Sequence, residues 1–444
     1  MSGMSGPDWI GGGWPPGAPG PAWSPSRFLR GVGPHVGRAV LGSGREALAH
    51  ILGALGARGR GVLIPAYACP ALAQAVRLAG AVPVFHGGDD RLRPSTDDVR
   101  RALATQDVAA WVLVHPFGWL QAPPEGRTGQ AARGVALVED GSHALCNGPG
   151  ARFLGPALSA GLAASLRKCL PVAAGLSARW DGGGLGAPHG PPSPAALGFA
   201  AVRAAAWAQT DPRRRHAWLG VAEDRLDPGA WIWAPPADHT QAAPRARRAA
   251  YATLAPAREA QRDSATAPPS APGAEPDAGS MPQAWDARGP VQYPLGPPPA
   301  AAADHLAALA AGPEAGLAAW RARCRANWQA LADALRGAPG VVPFHSTLPT
   351  QVCPLGFVLR HPDRGALAAR LLRRGVEATL HWPVPAEARP FLRRAERLLA
   401  GTILTLPCDG RYGPADMERV ARAVREAGAP PHFGGPAPWV RPLR

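Results

Sequence analysis

Between residues 41 and 140 the apolar positions switch repeatedly between two periods. After the turn Gly42-Ser43-Gly44, the residues Leu48, Ile51, Leu52 and Leu55 recur at the spacing of one helix face, and Gly56 closes the stretch. A short apolar run over 62–64 predicts a strand, 70–79 a helix stopped by Gly80, and 82–85 a second strand. Ser95 and Thr96 mark the start of a third helix, and further strand-like runs lie at 111–114 and 135–138. Strands that alternate with helices in this way predict crossover units around a parallel sheet, so the first half of the chain is α/β.

The second half is patterned differently. Residues 183–300 carry many Pro, Gly and Ala, above all at 268–282 and 296–303, which predicts an exposed insertion in part of this stretch. Helical spacing returns at Leu317, Trp320, Cys324, Trp328, Leu331 and Leu335, and again at Leu367, Leu371 and Leu372. A last helix is predicted over 414–427, with Met417, Val420 and Val424 inward and Gly428 as its stop. Four parts are expected: a Gly/Pro-rich arm (1–29), a large domain (30–303) containing the insertion, a smaller α+β domain (304–430) and a tail (431–444).

Composition narrows the function classes. With 444 residues, 46% of them hydrophobic, the chain is long enough for two cores. It has no apolar run of about 18 residues and its first residues lack a signal-peptide pattern, so a soluble, cytoplasmic protein is expected. The cysteines Cys69, Cys146, Cys169, Cys324, Cys353 and Cys408 are scattered without a CxxC pair, which suggests buried thiols and no metal site. A net charge of +15 would suit nucleic acid, but the arginines form no aromatic-interleaved cluster, and no nucleic-acid partner is expected.

One count changes the picture further. Of the 47 basic residues, Lys168 is the single lysine, where ordinary usage would give on the order of 20. Replacement of Lys by Arg can empty positions that need only positive charge, but a position needing a deprotonatable primary amine cannot take a guanidinium. Lys168 is therefore a candidate for chemistry, the bland alternative being a lysine left at the surface by chance.

Ligands of parallel sheets bind beyond the carboxyl ends of the strands. Asp140 stands there, directly after the apolar run and 28 residues before Lys168. An amine that condenses with the cofactor aldehyde, a carboxylate that keeps a pyridine nitrogen protonated, and a helix start that cradles a phosphate are the ingredients of a pyridoxal phosphate (PLP) site. Lys168, Asp140 and the backbone N–H groups of Gly44, Arg45 and Glu46 supply them. Asp140 also reads as a helix N-cap and Gly-Ser-Gly as a plain helix start.

Read together, these segments resemble the DegT/DnrJ/EryC1/StrS aminotransferases, a branch of the fold-type I PLP enzymes. The resemblance rests on Gly42-Ser43-Gly44-Arg45-Glu46-Ala47-Leu48, on Ile64-Pro65-Ala66-Tyr67-Ala68-Cys69-Pro70, on Gly80-Ala81-Val82-Pro83-Val84-Phe85 and on His115-Pro116-Phe117-Gly118. Its most specific elements are Glu139-Asp140-Gly141-Ser142-His143-Ala144 followed by Ser165-Leu166-Arg167-Lys168-Cys169-Leu170-Pro171. His381-Trp382-Pro383 and Leu406-Pro407-Cys408-Asp409-Gly410-Arg411-Tyr412 resemble family segments too, with a structural role favoured for Cys408 and Asp409.

The resemblance implies a large domain with a mainly parallel sheet, a smaller C-terminal α+β domain and a homodimer. It implies Ser142 against the cofactor ring, His143 near the 3'-oxygen and Ser165 near the phosphate, although His143 also reads as a packed histidine and Ser165 as a helix cap. The implied activity is transfer of an amino group from glutamate or glutamine to a keto group, most simply on a nucleotide-linked sugar. Another PLP reaction or a non-catalytic scaffold is the alternative, and family dehydratases carry histidine where Lys168 stands. The chain departs from the family at Cys69, where an aromatic usually covers the ring and Tyr67 is the possible substitute, and at Ser159-Ala160, where a Gly-Asp pair is usual.

Overall fold

The computed structural model describes residues 36–123, 134–148, 153–155, 157–172, 174–181, 185–186, 188, 192, 196, 300–311 and 315–428. The expected arm, most of the insertion and the tail lie outside these residues.

The first described half builds a seven-stranded sheet. Its strands are β1 (Gly37–Leu41), β2 (Gly61–Pro65), β3 (Val82–His86), β4 (Val108–Val114), β5 (Ala136–Asp140), β6 (Gly161–Ser165) and β7 (Gly175–Arg179), in the order β1-β7-β6-β5-β4-β2-β3. The pairs β2/β3, β2/β4, β4/β5 and β5/β6 are parallel, while β7 runs antiparallel to both β6 and β1. The first three helices are α1 (Gly44–Ala54), α2 (Ala71–Leu78) and α3 (Thr96–Thr105). They match the periodic stretches read from the sequence, with Ser43 and Ser95 as the caps of α1 and α3.

The second half adds α4 (Ala300–Ala311), α5 (Ala315–Ala334), α6 (Arg364–Arg373), α7 (Arg394–Thr402) and α8 (Pro414–Gly428). These accompany a four-stranded antiparallel sheet of β8 (Val342–Pro343), β9 (Phe357–Arg360), β10 (Thr379–Leu380) and β11 (Ile403–Leu406) in the order β10-β11-β9-β8. Trp328, Leu331 and Leu335 of α5 and Val420 and Val424 of α8 share one buried core with Phe357, Leu359, Leu404 and Leu406. Each such side chain contributes about 1.5–3 kcal/mol on burial, which is why the two long helices close on this small sheet.

The two sheets are not independent. Trp382, Leu399 and Ile403 are buried in the same cluster as Leu48 and Ile51 of α1 and Val62 and Ile64 of β2. Polar links cross as well: Arg393 pairs with Asp98 (3.0 Å), and Arg77 with Glu387. At the same junction the buried Glu396 accepts the Arg393 N–H (2.9 Å) and the Gly88 N–H. Burial outweighs those bonds and pushes the carboxyl up from 4.5 to about 7, with Asp98 adding to the rise and the Arg393 charge opposing it.

A carboxyl raised in the folded state holds its proton more tightly there than in the unfolded chain. Its stabilising contribution is complete below 4.5 and is lost as the pH rises through about 7. Thermal midpoints recorded across that window are expected to fall less steeply in Glu396→Gln than in the unsubstituted chain. Equal slopes would show that Glu396 ionises without cost.

Candidate active site

Lys168 sits in a short turn, residues 166–168, directly after β6, and the carboxyl end of β5 brings Asp140 alongside. The opposing wall is the N-terminus of α1. A Cβ on Gly44 would stand 2.6 Å from Ser165 Cβ, and one on Gly175 2.1 Å from Ser43 O, so the helix start is pressed onto β6 and β7. Between them lies a cavity open to solvent, with Gly44, Arg45 and Cys69 on one side. Asp140, Ser142, Ser165 and Lys168 line the other.

The positions read from the sequence thus converge, with two distinctions. Glu46 lies outside the cavity wall, because its N–H is already donated to the Ser43 cap (3.3 Å) and its side chain is fully buried. Helix-start amides for an anion come down to Gly44 and Arg45, and the Arg45 guanidinium is drawn aside to Gln74 (2.9 Å). His143 is also off the wall and touches the cavity through Lys168, whose Nζ stands 2.8 Å from His143 Nε2.

A chain of bonds holds the strand ends in place. Asp140 Oδ1 accepts the Ser142 N–H (2.9 Å), Ser142 Oγ accepts the Ser165 N–H (2.9 Å), and the Gly141 N–H reaches Ala163 O (2.9 Å). Beneath them Glu139, fully buried, accepts from Leu154 N–H (2.8 Å) and Ser159 Oγ (2.7 Å) and meets His115 Nε2 at 3.1 Å. His115 Nδ1 accepts the Gln121 N–H (3.0 Å), so its proton is on Nε2 and the pair is a neutral imidazole donating to a carboxylate. Ser159, at a departure from the family pattern, is used as a ligand of Glu139 and also receives the Trp180 indole N–H (2.7 Å).

The possible exchange of Cys69 for Tyr67 is decided by geometry. Tyr67 is buried, donates its hydroxyl to His381 O (2.7 Å) and meets the Trp382 ring edge-on at 5.6 Å, so it does not reach the cavity. Cys69 does, and among the six cysteines it alone is half-buried while the others are buried thiols. Cys408 is fully buried, and Asp409 binds Arg411 (2.7 Å), so both are structural.

Two neighbours stand in segments that carry the resemblance but were given no role there. Phe117 adopts a left-handed backbone (φ 59°, ψ 9°), which costs a side-chain-bearing residue about 1 kcal/mol or more. Its N–H donates to His143 Nδ1 (3.0 Å), its carbonyl accepts from Leu355 (3.1 Å), and its ring stacks on Trp382 (5.4 Å, 8°). Nothing in a residue string marks a left-handed phenylalanine. His381 meets Phe117 edge-on (5.2 Å), with burial pushing its imidazole down to about 3 and the Lys168 and Arg364 charges adding to the drop. His143 is held well below the usual range by burial first and then by Lys168, His381 and Arg167.

Removing the Glu139 carboxylate strands several buried donors, each worth about 1–3 kcal/mol when unpaired. Glu139→Ala is expected to lower stability by more than about 3 kcal/mol in denaturant titration, whereas surface Asp333→Ala changes it by under about 0.5 kcal/mol.

Residues 32–157 match a family model described as the DegT/DnrJ/EryC1/StrS aminotransferase family. No curated protein matches the sequence. Solved structures similar to the chain include the aminotransferase TlmJ from Streptoalloteichus hindustanus, at 18% identity and a TM-score of 0.54 over 90% of this chain and 88% of that one. The putative sugar aminotransferase Spr1654 from Streptococcus pneumoniae, in its PMP form, aligns at 13% identity and 0.54 over 93% and 94%. DesI, solved in the presence of its TDP-sugar product, aligns at 17% identity and 0.55 over 95% of each chain. At such identities the likeness establishes the fold. Residues 32–157 thus match the model of the DegT/DnrJ/EryC1/StrS aminotransferase family, on a chain that shares the fold of TlmJ, Spr1654 and DesI.

Proposed function

We propose that the chain is a PLP-dependent aminotransferase that moves an amino group from glutamate or glutamine to a keto group of a nucleotide-linked sugar, with Lys168 as the amine that binds the cofactor covalently. The observation that carries the reading is Lys168 Nζ, the one lysine amine in the chain, set in the cavity wall opposite the N-terminus of α1. The residues present fit the group. The backbone amides of the first turn suit a phosphate, as does the Ser165 side chain in the same wall. Asp140 offers the carboxylate a protonated ring nitrogen needs.

Once bound, PLP supplies an electron sink for the pair left when a proton departs from the carbon bearing the amino group. The other roles belong to the chain. Lys168 would hold the cofactor through Nζ and, when free, would move that proton from the substrate carbon with the same nitrogen. Ser142 fixes the height of β6 relative to β5 through the Ser165 N–H, and thereby the distance between Lys168 and Asp140. Cys69 covers less of the cavity than an aromatic ring would, leaving that side open.

The sugar acceptor is supported by the relatives' descriptions, with DesI solved beside a TDP-sugar, and the net charge of +15 suits an anionic substrate. A homodimer in the cytoplasm completes the proposal. Among the described residues no helix is long and apolar enough to cross a membrane.

Purified chain mixed with PLP is expected to show a visible absorption band that Lys168→Ala lacks, and glutamate is expected to bleach it. A band that survives in Lys168→Ala refutes covalent binding through this residue. No band in either protein transfers the fold to a scaffold role.

A further inference from the structure

The contact between His143 and Lys168 has a direction, and the direction is set elsewhere. His143 Nδ1 faces the Phe117 N–H at 3.0 Å, and a backbone N–H can only donate. Nδ1 must therefore carry the lone pair. In a neutral imidazole the proton then sits on Nε2, the atom 2.8 Å from Lys168 Nζ. An imidazolium would require a proton on Nδ1 against the Phe117 N–H. It is opposed too by the buried surroundings and by the charged groups that face His143, namely Lys168 and Arg167, with His381 packed beside them.

We infer that Phe117 is a positioning residue: its left-handed backbone locks His143 in the Nε2–H tautomer, which turns that N–H toward Lys168 Nζ. The contact sets the imidazole beside the Lys168 side chain and fixes which ring nitrogen faces it. The inference rests on the proposed role of Lys168.

The strain at Phe117 is over-determined by its surroundings. The carbonyl is held by the Leu355 N–H (3.1 Å), and the next carbonyl, of Gly118, by Asn147 Nδ2 (2.8 Å). Gly118 is itself left-handed (φ 105°), with Cys353 O only 2.6 Å from where a Cβ would stand. The Phe117 ring is clamped against Trp382 and Phe344. Such strain persists where a site uses it, and here the geometry it produces is the aim of one N–H at one imidazole nitrogen.

The test is made on the cofactor-free full chain, so it does not depend on the activity or on PLP binding. Long-range proton–nitrogen NMR of the 15N-histidine-labelled protein, with His143→Gln to assign the ring, reads the tautomer directly. The expected result is a bare Nδ1 and a protonated Nε2 throughout the neutral range. A protonated Nδ1, in either the other tautomer or the cation, overturns the inference.

Phe117→Gly and Phe117→Ala separate backbone from ring. Both lose the aromatic stack, but glycine enters the left-handed region at no steric cost while alanine does not. Phe117→Gly is expected to keep the Nε2–H tautomer and Phe117→Ala to lose it in part. Identical spectra for the two variants refute the backbone as the device. Phe117→Leu, which keeps apolar volume, carries the same comparison should Phe117→Ala not fold. Loss of the visible band in Lys168→Ala with a mobile His143 tautomer sinks this inference alone, whereas a fixed tautomer without any visible band sinks the proposed function alone.

Discussion

No side chain fits between the first turn of α1 and the ends of β6 and β7. Gly44 and Gly175 leave the backbone of the helix start in contact with Ser165 and with Ser43 O, at distances where a Cβ would overlap. This close approach fixes the rest of the site. It places the positive end of α1 across the cavity from the strand ends, and it forces the chain leaving β6 into the short turn that carries Lys168. The helix start and the amine at the strand end are then set by packing, before any polar bond is counted.

The polar bonds refine what packing sets. Two buried histidines, His115 and His143, each accept a backbone N–H at Nδ1, from Gln121 and from Phe117, and each therefore turns Nε2–H inward. One meets the Glu139 carboxylate, the other the Lys168 amine. For His143, in a region this poorly solvated, a charged imidazole would be costly, and its backbone donor opposes that form as well. The network around Glu139 makes the same point with an anion: its desolvation is offset by donors from the 153–159 loop and from His115, so the carboxylate ties that loop to β4 and β5.

How much of this was legible in the residue string depends on range. Periodicity located α1, α2, α3, α5, α6 and α8 and strands β2 to β5, because each buries a face whose spacing can be counted. It missed β1, β6 and β7, whose sequences GRAVL, GLAAS and GLSAR carry small or charged residues in place of bulky branched ones. Strand β6 is nonetheless buried throughout, since glycine and alanine are what admit α1 so closely. The convergence of Gly44, Arg45, Asp140, Ser142, Ser165 and Lys168 on one cavity followed from motif and topology together. Glu46 stands apart from them, its N–H donated to the Ser43 cap. Phe117 escaped because backbone handedness is not encoded at a single position, and Tyr67 was misplaced as a candidate because its hydrogen bond is to a residue more than 300 positions away.

The loss of every other lysine becomes intelligible at the level of hydrogen bonds. Buried and half-buried arginines in this chain act as clamps on carbonyls: Arg321 on Cys146 O, Arg325 on Val352 O, Arg364 on Ile403 O. Those tasks ask only for donors on a fixed cation, and a planar fork of five N–H groups performs them with less freedom to lose than an ammonium. Position 168 asks for the opposite. The role proposed for Lys168 needs a primary amine as nucleophile, which a guanidinium does not provide. An amine can donate, accept and attack with the same nitrogen. The one lysine of the chain is thus the residue whose proposed role needs an amine that arginine cannot supply.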